Sequence, residues 1–428
     1  MREWVDSTVG AVTLYQRAGG TPTATTDSFY GGDIPFVTIE DITNGTRFLD
    51  RTEKNLSEAG LANSAAWLIK EPHILYSMYA TVGKPIINRI ACATNQAIIA
   101  LKESSEIEQS FLFYQLLFIR PTVYKYTAQT TQSNLNAGSV KKLPISYPKD
   151  KREQRKIATI LTGIDTAIEK TEALITKYQQ IKAGLMHDLF TRGVLPNGQL
   201  RPPREQAPEL YQETAIGWIP KEWQYELLDK LALRGSGHTP NKNFPEYWNG
   251  GIKWVSLADS HRLDQLYISD TELQISHKGI QNSSAVLHPA GIVVLSRDAG
   301  VGKSAITTEP MAVSQHFMCW KCDQKMDSHF LYYWLQFNKR TFENIAMGST
   351  ILTIGLPYFK KMKIACPADL EEQQNIATKM KASDTRIFSL QNELSKLKQQ
   401  KQGLMHDLLT GKVLVTIENK TTTTEAVA

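Results

Sequence analysis

The feature that most constrains the fold of this chain is an internal repeat. Segments far apart in the 428-residue sequence agree at one constant shift of 219 residues. Each half of the chain is therefore one copy of the same unit. The matched pairs are segments 3–4 and 222–223, 83–84 and 302–303, 111–114 and 330–333, 153–159 and 372–378, and 184–189 and 403–408.

The two copies differ between these matched segments. Residues 43–70 bear little resemblance to residues 262–289, and the Thr-Pro pair at 21–22 meets its counterpart at 239–240 only at a shift of 218. Short apolar runs punctuated by Gly, Pro and Asn predict strands in the first 145 residues of each copy, with one helix near 108–119. The pattern predicts one scaffold that carries two different surfaces.

Each copy ends in a segment predicted to form one long helix. Asp150-x-x-Glu153 resembles a capping box, and residues 369–372 repeat it. Apolar residues then recur at alternating three- and four-residue steps, a coiled-coil seam that Lys182 and Lys401 interrupt at matching positions. At 1.5 Å per residue each helix is a rigid spacer of roughly 57 Å. The seam residues are Ile157, Leu161, Ile164, Ile168, Ile175 and Leu185, and then Met380, Ile387, Leu390, Leu394, Leu397 and Leu404.

Composition places the chain among ordinary globular proteins, with 42% hydrophobic and 21% charged residues. A net charge of +5 favours a polyanionic partner only slightly, because the chain also carries 43 acidic residues. Polar residues occupy the place of a secretory signal, and no apolar run reaches the roughly 18 residues of a membrane span. We therefore expect a cytoplasmic protein whose four cysteines are reduced.

A set of features that all occur twice resembles one protein family. These are a Thr-Pro near the start, a Gly-Lys turn after a strand, a polar loop such as Thr-Thr-Gln-Ser-Asn at 130–134, and a helix that opens with Glu-Gln and ends in Gly-Leu-Met-His-Asp-Leu. In their order and duplication they resemble the Type I restriction specificity subunits over nearly the whole chain. The resemblance implies two target-recognition domains, each reading one half of a split DNA site. It also implies two antiparallel helices that fix the gap and dock modification subunits.

The expected fold is α+β, with two tandem globular α/β target-recognition domains joined by two long helices packed as an antiparallel coiled coil, in a pseudo-two-fold repeat. The expected partners are double-stranded DNA, two modification (methyltransferase) subunits and, where they exist, restriction subunits, without a cofactor or a membrane. The expected boundaries are 1–148 for the first recognition domain, 149–192 for the central helix, 193–220 for a Pro-rich linker, 221–367 for the second recognition domain, 368–411 for the C-terminal helix and 412–428 for a tail.

Candidate DNA contacts are polar and cationic residues on loops, since these side chains reach base edges and phosphates. Because the surfaces of the two copies diverge, we expect an asymmetric bipartite target. The candidates in the first half are Lys84, Gln129, Thr131, Gln132 and Asn134, with Arg47, Arg51 and Lys54 as weaker ones. Those in the second half are Lys303, Ser349 and Thr350, with Arg262 and Arg297 as added cations.

Gly300-Val-Gly302-Lys303-Ser304 suggests a phosphate-binding loop, but the first glycine of that motif falls at Arg297. The other copy also has Pro85 in place of the serine, so a glycine turn at a strand end is the preferred interpretation.

A metal cluster at His316, Cys319 and Cys322 lacks a second Cys or His pair at zinc-like spacing, and an alternating strand explains these residues better. The His-Asp pairs at 187–188 and 406–407 fall at helix ends, where an imidazole suits the terminal carbonyls. We also find no methyltransferase, dinucleotide-binding or nuclease motif, so the chain is predicted not to be an enzyme.

Two other classes of function compete with a DNA-specificity subunit. A coiled-coil scaffold that organises proteins without reading DNA would explain the helices, but it needs no pair of diverged globular domains. An enzyme that acts alone would need an unrecognised variant of the phosphate-binding loop. The sequence therefore favours the sequence-specific DNA-binding subunit.

Overall fold

The computed structural model describes residues 3–127, 134–348 and 352–417. The chain forms two compact units. Unit 1 comprises Met1–Ala173 and Asn392–Ala428, and unit 2 comprises Leu174–Gln391. Each unit therefore contains one globular part together with about half of each long helix.

The globular part of unit 1 is a mixed structure of short strands and helices. Its strands are β1 Trp4–Thr8, β2 Thr13–Ala18, β3 Tyr30–Val37, β4 Phe48–Leu49, β5 Lys54–Leu56, β6 Ile74–Ser77, β7 Pro85–Asn88, β8 Ala93–Thr94, β9 Ile98–Glu103 and β10 Pro144–Pro148. Its helices are α1 Ile39–Asn44, α2 Glu58–Ala62, α3 Gln109–Ile119 and α4 Ala137–Lys141, followed by the long helix α5 Lys151–Thr191.

The sheets of unit 1 follow from these short apolar runs. The strand order in the largest sheet is β2-β9-β6-β7-β4, while β5-β3-β8 form a second sheet and β1 pairs with β10. All four side chains of β6 are buried, which explains why this run is apolar without alternation. Helix α3 packs in the same core as the start of α5 and the end of the second long helix. Residues near both ends of the sequence therefore complete one core.

Unit 2 repeats this arrangement. Its strands are β11 Tyr211–Thr214, β12 Gly217–Pro220, β13 Trp223–Leu227, β14 Leu233–Ser236, β15 Trp248–Val255, β16 Tyr267–Ile268, β17 Leu273–Ile275, β18 Leu287–His288, β19 Val293–Ser296, β20 Ser304–Thr307, β21 Met311–Val313, β22 Phe317–Lys321 and β23 Lys363–Pro367. Its helices are α6 His277–Gln281, α7 Ser328–Phe337, α8 Lys339–Ile345 and α9 Leu356–Lys361, followed by the long helix α10 Leu370–Leu409.

The sheets of unit 2 have the same strand order as those of unit 1, except that β18 adds a fourth strand to the second sheet. The order β14-β22-β19-β20-β16 corresponds to the largest sheet of unit 1, and β13 pairs with β23 as β1 does with β10. The second sheet has the order β17-β15-β21-β18. An additional hairpin of β11 and β12 lies in the Pro-rich segment.

The two long helices run antiparallel within each unit. In unit 1, Lys401 pairs with Asp165, while Lys398, which is earlier on α10, pairs with Glu172, which is later on α5. In unit 2, Asp384 pairs with Lys182, while Arg386, which is later on α10, lies over the ring of Tyr178, which is earlier on α5. All twelve seam residues are buried or half-buried. The expected α+β fold with two long helices packed antiparallel is confirmed.

Candidate nucleic-acid interface

A hairpin loop with the same main-chain geometry joins two central strands in each unit. In unit 1, residues 77–84 join β6 to β7, and in unit 2, residues 296–303 join β19 to β20. The amide of Gly83 donates to the carbonyl of Ser77 over 2.9 Å, and its counterpart donates to the carbonyl of Ser296 over 3.0 Å. An alanine with positive φ, 52° at Ala80 and 46° at Ala299, occupies the same place in both loops. Because non-glycine residues rarely adopt this conformation, the surrounding bonds must hold both loops in shape.

Lys84 and Lys303, two of the predicted DNA contacts, donate hydrogen bonds within their own units. The amine of Lys84 donates to the carbonyls of Thr43 and Gly45 over 2.9 and 2.7 Å. Lys303 donates to the carbonyl and hydroxyl oxygens of Ser260 over 3.0 and 3.1 Å. Burial, and then the charge of Arg120, lower the pKa of Lys84. Both amines thus hold the loop to neighbouring residues of their units, and a DNA contact at Lys84 or Lys303 stays a prediction.

The residues that follow the predicted polar loop contact this hairpin loop. In unit 1 the amide of Leu135 donates to the carbonyl of Met78 over 2.9 Å. In unit 2 the amide of Ile354, its repeat counterpart, donates to the carbonyl of Arg297 over 2.9 Å. Asn134 is half-buried at the edge of this contact. The candidates Gln129, Thr131, Gln132, Ser349 and Thr350 lie outside the described residues.

We call residues 77–84 with 134–136 loop surface 1, and residues 296–303 with 352–355 loop surface 2. Their main-chain bonds agree, but their side chains do not. Met78, Tyr79 and Thr81 of loop surface 1 correspond to Arg297, Asp298 and Gly300 of loop surface 2.

Polar contacts organise loop surface 2. The Nε of Arg297 donates to the carbonyl of Ile354 over 3.1 Å, and Asp298 pairs with Nδ1 of His316 over 2.7 Å. The same frame therefore holds a largely buried ion pair in unit 2, where the side chains of Arg297 and Asp298 are 16% and 12% exposed, whereas in unit 1 Tyr79 projects a ring that is 40% exposed.

Arg47 lies inside unit 1. Its side chain is only 7% exposed, and its guanidinium donates to the hydroxyls of Ser110, over 2.8 Å, and Thr162. It also lies over the rings of Phe48 and Tyr114, at 4.7 and 5.2 Å from their centroids. Arg47 thus ties α3 and α5 together, and we leave it out of the surface proposed below.

The remaining predicted cations are more exposed. Arg262 is half-buried and lies near three carboxylates, Asp259 at 3.6 Å, Glu272 at 3.5 Å and Asp270 at 4.0 Å, which offset its charge. Arg51 and Lys54 are exposed, and Lys54 begins β5. These two lie away from the hairpin loop in sequence.

A repeated lysine pair escaped the sequence analysis. Lys141 and Lys142 directly follow the polar loop, at the end of α4, whose N-cap Asn136 accepts a bond from the amide of Ser139 over 2.8 Å. Lys141, Lys142 and their repeat counterparts Lys360 and Lys361 are all exposed, and none of the four forms an ion pair within the described ranges. The constant shift of 219 could have revealed them, since it maps this pair onto Lys360 and Lys361 at the end of α9.

A buried glutamine joins each long helix to its globular part. Gln154 donates to the carbonyls of Glu106 and Pro148 over 3.0 and 2.9 Å and accepts from the amide of Glu108 over 2.7 Å. Gln373 makes the same three bonds in unit 2, to Lys325, Pro367 and Asp327 over 3.1, 2.9 and 2.9 Å. This explains the glutamine of the repeated Glu-Gln motif.

The glutamate beside it departs from the predicted capping box. Glu372 accepts bonds from Arg201, over 2.6 and 3.0 Å, from the amide of Val194 and from the ring of Trp223. It therefore anchors the segment after α5 instead of reaching back to its own N-cap.

An aspartate in each unit links the globular part to both helices. Tyr114 on α3 donates to Asp165 on α5 over 2.8 Å, and Lys401 on α10 pairs with the same carboxylate over 2.6 Å. Burial raises the pKa of Tyr114, so this phenol is a neutral donor at physiological pH. The two interrupting lysines of the seam thus face carboxylates. The counterparts in unit 2 are Tyr333, Asp384 and Lys182.

The structure describes both segments that suggested another function, a phosphate-binding loop and a metal cluster. Gly300–Ser304 forms the hairpin turn just described, and Ser304 is buried at the start of β20. Within residues 3–127, 134–348 and 352–417 no three His, Cys, Asp or Glu side chains gather as metal ligands do. Over the same ranges no helix has the length and apolar character that a membrane crossing requires.

The family is shown by the sequence itself. Residues 1–180 and 220–399 each match the family described as "Type I restriction modification DNA specificity domain". The chain belongs to this family, as the repeated motifs predict, and the family assignment supports a non-catalytic DNA-recognition subunit over a scaffold that ignores DNA.

Relatives and solved structures agree with this assignment. The chain is 32% identical over 190 residues to the Type I restriction enzyme MjaIX specificity subunit of Methanocaldococcus jannaschii, a match that covers 43% of each chain. The MjaVIII specificity subunit of the same organism is 23% identical over 96% of this chain and 93% of its own. The crystal structure of a Type I restriction-modification S subunit from M. genitalium has the same fold, with a TM-score of 0.59 at 13% identity over 95% of this chain and 96% of that one.

Proposed function

We propose that this chain reads an asymmetric, bipartite DNA target, with one half-site contacted by each unit. The observation that carries the proposal is the pair of loop surfaces. Their main-chain hydrogen bonds are equal, whereas the side chains that they present differ. A common frame with different side chains gives two recognition surfaces of the same build and different base preference.

The proposed DNA contacts are of two kinds, those to phosphates and those to base edges. Phosphates are alike at every site, so residues that contact them can be the same in both halves, whereas residues that read bases must differ. The repeated lysine pairs, 141–142 and 360–361, suit phosphates. The divergent residues of the loop surfaces, with Asn134 and the predicted Gln129, Thr131, Gln132, Ser349 and Thr350, suit base edges. Arg51 and Lys54 remain candidates for added phosphate contacts.

The proposal also includes protein partners. The chain acts in the cytoplasm with two modification subunits, and with restriction subunits where these exist, as the family resemblance implies. These partners supply the catalysis.

Selection of bound sequences from a random duplex library tests the proposal, with the chain co-produced with the modification subunit of its host and the salt concentration fixed. We expect two different short blocks at a fixed gap. Binding without an enriched motif would contradict a specificity subunit.

A substitution then assigns the blocks. Asn134→Ala changes one edge of loop surface 1 only, and we expect the preference in one block to relax while the other block stays unchanged. Thr353→Ala, at the repeat counterpart, should relax the other block and serves as the matched control. Equal loss in both blocks from either variant would contradict one half-site per unit.

A further inference from the structure

A short turn lies beside the hairpin loop in each unit. It joins β8 to β9 in unit 1 and β21 to β22 in unit 2, at residues 95–97 and 314–316. In unit 1 the carbonyl of Ala97 accepts from the amide of Met78 over 2.8 Å. In unit 2 the carbonyl of His316 accepts from the amide of Arg297 over 3.0 Å. Each turn is therefore attached to the loop surface of its unit by the same main-chain bond.

The central residue of each turn is an exposed glutamine, Gln96 in unit 1 and Gln315 in unit 2. The residues on either side of it differ, since they are Asn and Ala in unit 1 but Ser and His in unit 2. Neither glutamine has a positive φ, and tight turns favour Gly, Pro, Asn, Asp and Ser over glutamine. The turn itself therefore does not account for the repeated residue.

The threonine of each Thr-Pro pair binds this glutamine. The hydroxyl of Thr21 donates to Oε1 of Gln96. The hydroxyl of Thr239 donates to Oε1 of Gln315 over 2.6 Å. The Thr-Pro pairs match at a shift of 218 and the glutamines at a shift of 219. The contact is thus kept in both units although the repeat slips by one residue between its two partners.

Stability within the unit gives little reason for this contact. Thr21, Gln96 and Gln315 are exposed and Thr239 is half-buried, and a hydrogen bond between neutral groups that water also reaches contributes little. The contact does orient the amide. Because Oε1 accepts from the threonine, Nε2 is turned away from it and has hydrogens to donate. In unit 2 Nε2 of Gln315 lies 3.4 Å from Nε2 of His316, a contact that engages one hydrogen of the amide and leaves the other.

Two properties define the ligand of these amides. The amide nitrogen donates and carries no charge, so its ligand presents an acceptor oxygen or nitrogen. The ligand is also the same in both units, because the glutamine and its threonine repeat while the side chains of the loop surfaces differ. On duplex DNA the phosphates are alike at every site, whereas base edges vary with the sequence. A phosphate oxygen beside each half-site meets both conditions.

We propose that Gln96 and Gln315 each donate a hydrogen bond from Nε2 to a phosphate oxygen of the DNA beside the half-site of their unit. Thr21 and Thr239 are the positioning residues that orient the two amides. This inference rests on the proposed function, which supplies the duplex. It adds a neutral phosphate contact to the cationic lysine pairs and gives the repeated Thr-Pro pairs a role. Such a contact fixes the place of the duplex against each loop surface without adding to the salt dependence, since an uncharged group releases no counterion.

The experiment measures the affinity of the full-length chain, co-produced with the modification subunit, for the selected duplex and for an unrelated duplex at several salt concentrations. Gln96→Ala and Gln315→Ala should each weaken binding to both duplexes by about tenfold, because the lost bond has a charged acceptor. The slope of log affinity against log salt should stay unchanged.

A charged variant and its matched control make the test sharper. Gln96→Glu keeps an acceptor for the hydroxyl of Thr21 but brings a negative charge to the phosphate, so it should weaken binding more than Gln96→Ala does. Gln206→Glu adds the same charge at an exposed position of the Pro-rich segment and should keep the wild-type affinity. The melting temperatures of these exposed variants should equal that of wild type, which separates a lost contact from lost folding.

Thr21→Val tests the positioning role. It removes the hydroxyl at similar volume, and we expect weaker binding to both duplexes. In the Gln96→Ala background it should have no further effect, because the amide that the threonine orients is gone. A further loss in that background would overturn the positioning role of Thr21.

Other outcomes would contradict the phosphate contacts. Unchanged affinity of Gln96→Ala and Gln315→Ala, with both blocks still selected by wild type, would overturn this inference and leave the proposed function intact. Loss at the selected duplex alone, with relaxed preference for one base pair, would assign the glutamines to base edges. A wild-type chain that enriches no sequence would overturn the proposed function and this inference with it.

Discussion

In each unit, two lysines follow the polar loop, and comparison of the two copies indicates the role of these single residues. Lys141 and Lys142 occupy the same exposed place as their counterparts at 360–361, while the loop residues before them differ. Replacing both by alanine should weaken binding to the selected target and to unrelated duplex by the same factor. The slope of log affinity against log salt should fall by about 2, since each phosphate contact contributes about 0.9.

Lys321 and Lys325 form a suitable control pair, because both are exposed and they lie at the end of β22 and in the turn before α7, away from the loop surfaces in sequence. Their double alanine variant should keep the salt slope. If the double variant loses affinity only for the selected target and keeps the slope of log affinity against log salt, Lys141 and Lys142 do not contact phosphates.

The buried glutamine of each Glu-Gln motif connects the long helix to the globular part through three hydrogen bonds. Gln154→Leu would leave two carbonyls and one amide without partners in a buried site, and each unpaired group costs about 1–3 kcal/mol. We expect the free energy of unfolding to fall by roughly 3 kcal/mol. Chemical denaturation checks this, with the exposed Gln179→Leu as a control of nearly unchanged stability.

At the scale of helices and strands, the positions of the helices could be predicted mainly from the periodicity of apolar residues. The sequence placed helices at 108–119, 149–192 and 368–411, and the structure has them at Gln109–Ile119, Lys151–Thr191 and Leu370–Leu409. These segments are long or strongly patterned, so local signals suffice. The roles of Arg47 and Lys84 could not be predicted in this way. Their partners, Thr162 and Thr43, lie 115 and 41 residues away, and no local pattern reports such contacts.

The ion pairs within the seam explain why lysine interrupts it. The side chains of Asp165 and Lys401 are 15% and 22% exposed, whereas those of Glu172 and Lys398, on the same two helices, are 45% and 55% exposed. Partial burial reduces solvent screening, so we expect a coupling energy of about 1–2 kcal/mol for the inner pair and under about 0.5 kcal/mol for the outer pair. Double-mutant cycles to alanine measure both, and equal coupling energies would contradict a special role for the inner pair.

The inner pair also restricts how the helices can slide. Any shift along the helix axis would separate a half-buried lysine from its carboxylate and leave both charges without partners. Fixing the register in this way is the main use of polar groups in a coiled-coil seam. The register of the spacer is therefore defined at Asp165 in unit 1 and at Asp384 in unit 2.

At the scale of the whole molecule, the length of the spacer becomes a prediction about DNA. Inserting seven residues after Ala173 and seven after Gln391, at the boundaries between the units, keeps the heptad pattern in both helices. Each insertion adds about 10 Å, which corresponds to about three base pairs at roughly 3.4 Å per pair. The selected target should keep both blocks and lengthen its gap by about three base pairs.

Library selection with the lengthened chain measures this, and a six-residue insertion at the same places, which breaks the heptad, is the control that should impair folding. An unchanged gap with intact folding would show that the helices do not set the spacing.

Unit 1 needs the last part of the chain to close its core. Met405, Leu408 and Leu409 pack with residues of the first half, and the carbonyl of Leu409 accepts a bond from Gln115 over 2.9 Å. During synthesis, the first segment of unit 1 is therefore completed before the second, and residues 174–391 are made between them, about 220 residues. A nascent chain interrupted before α10 is complete would leave the core of unit 1 without Met405, Leu408 and Leu409.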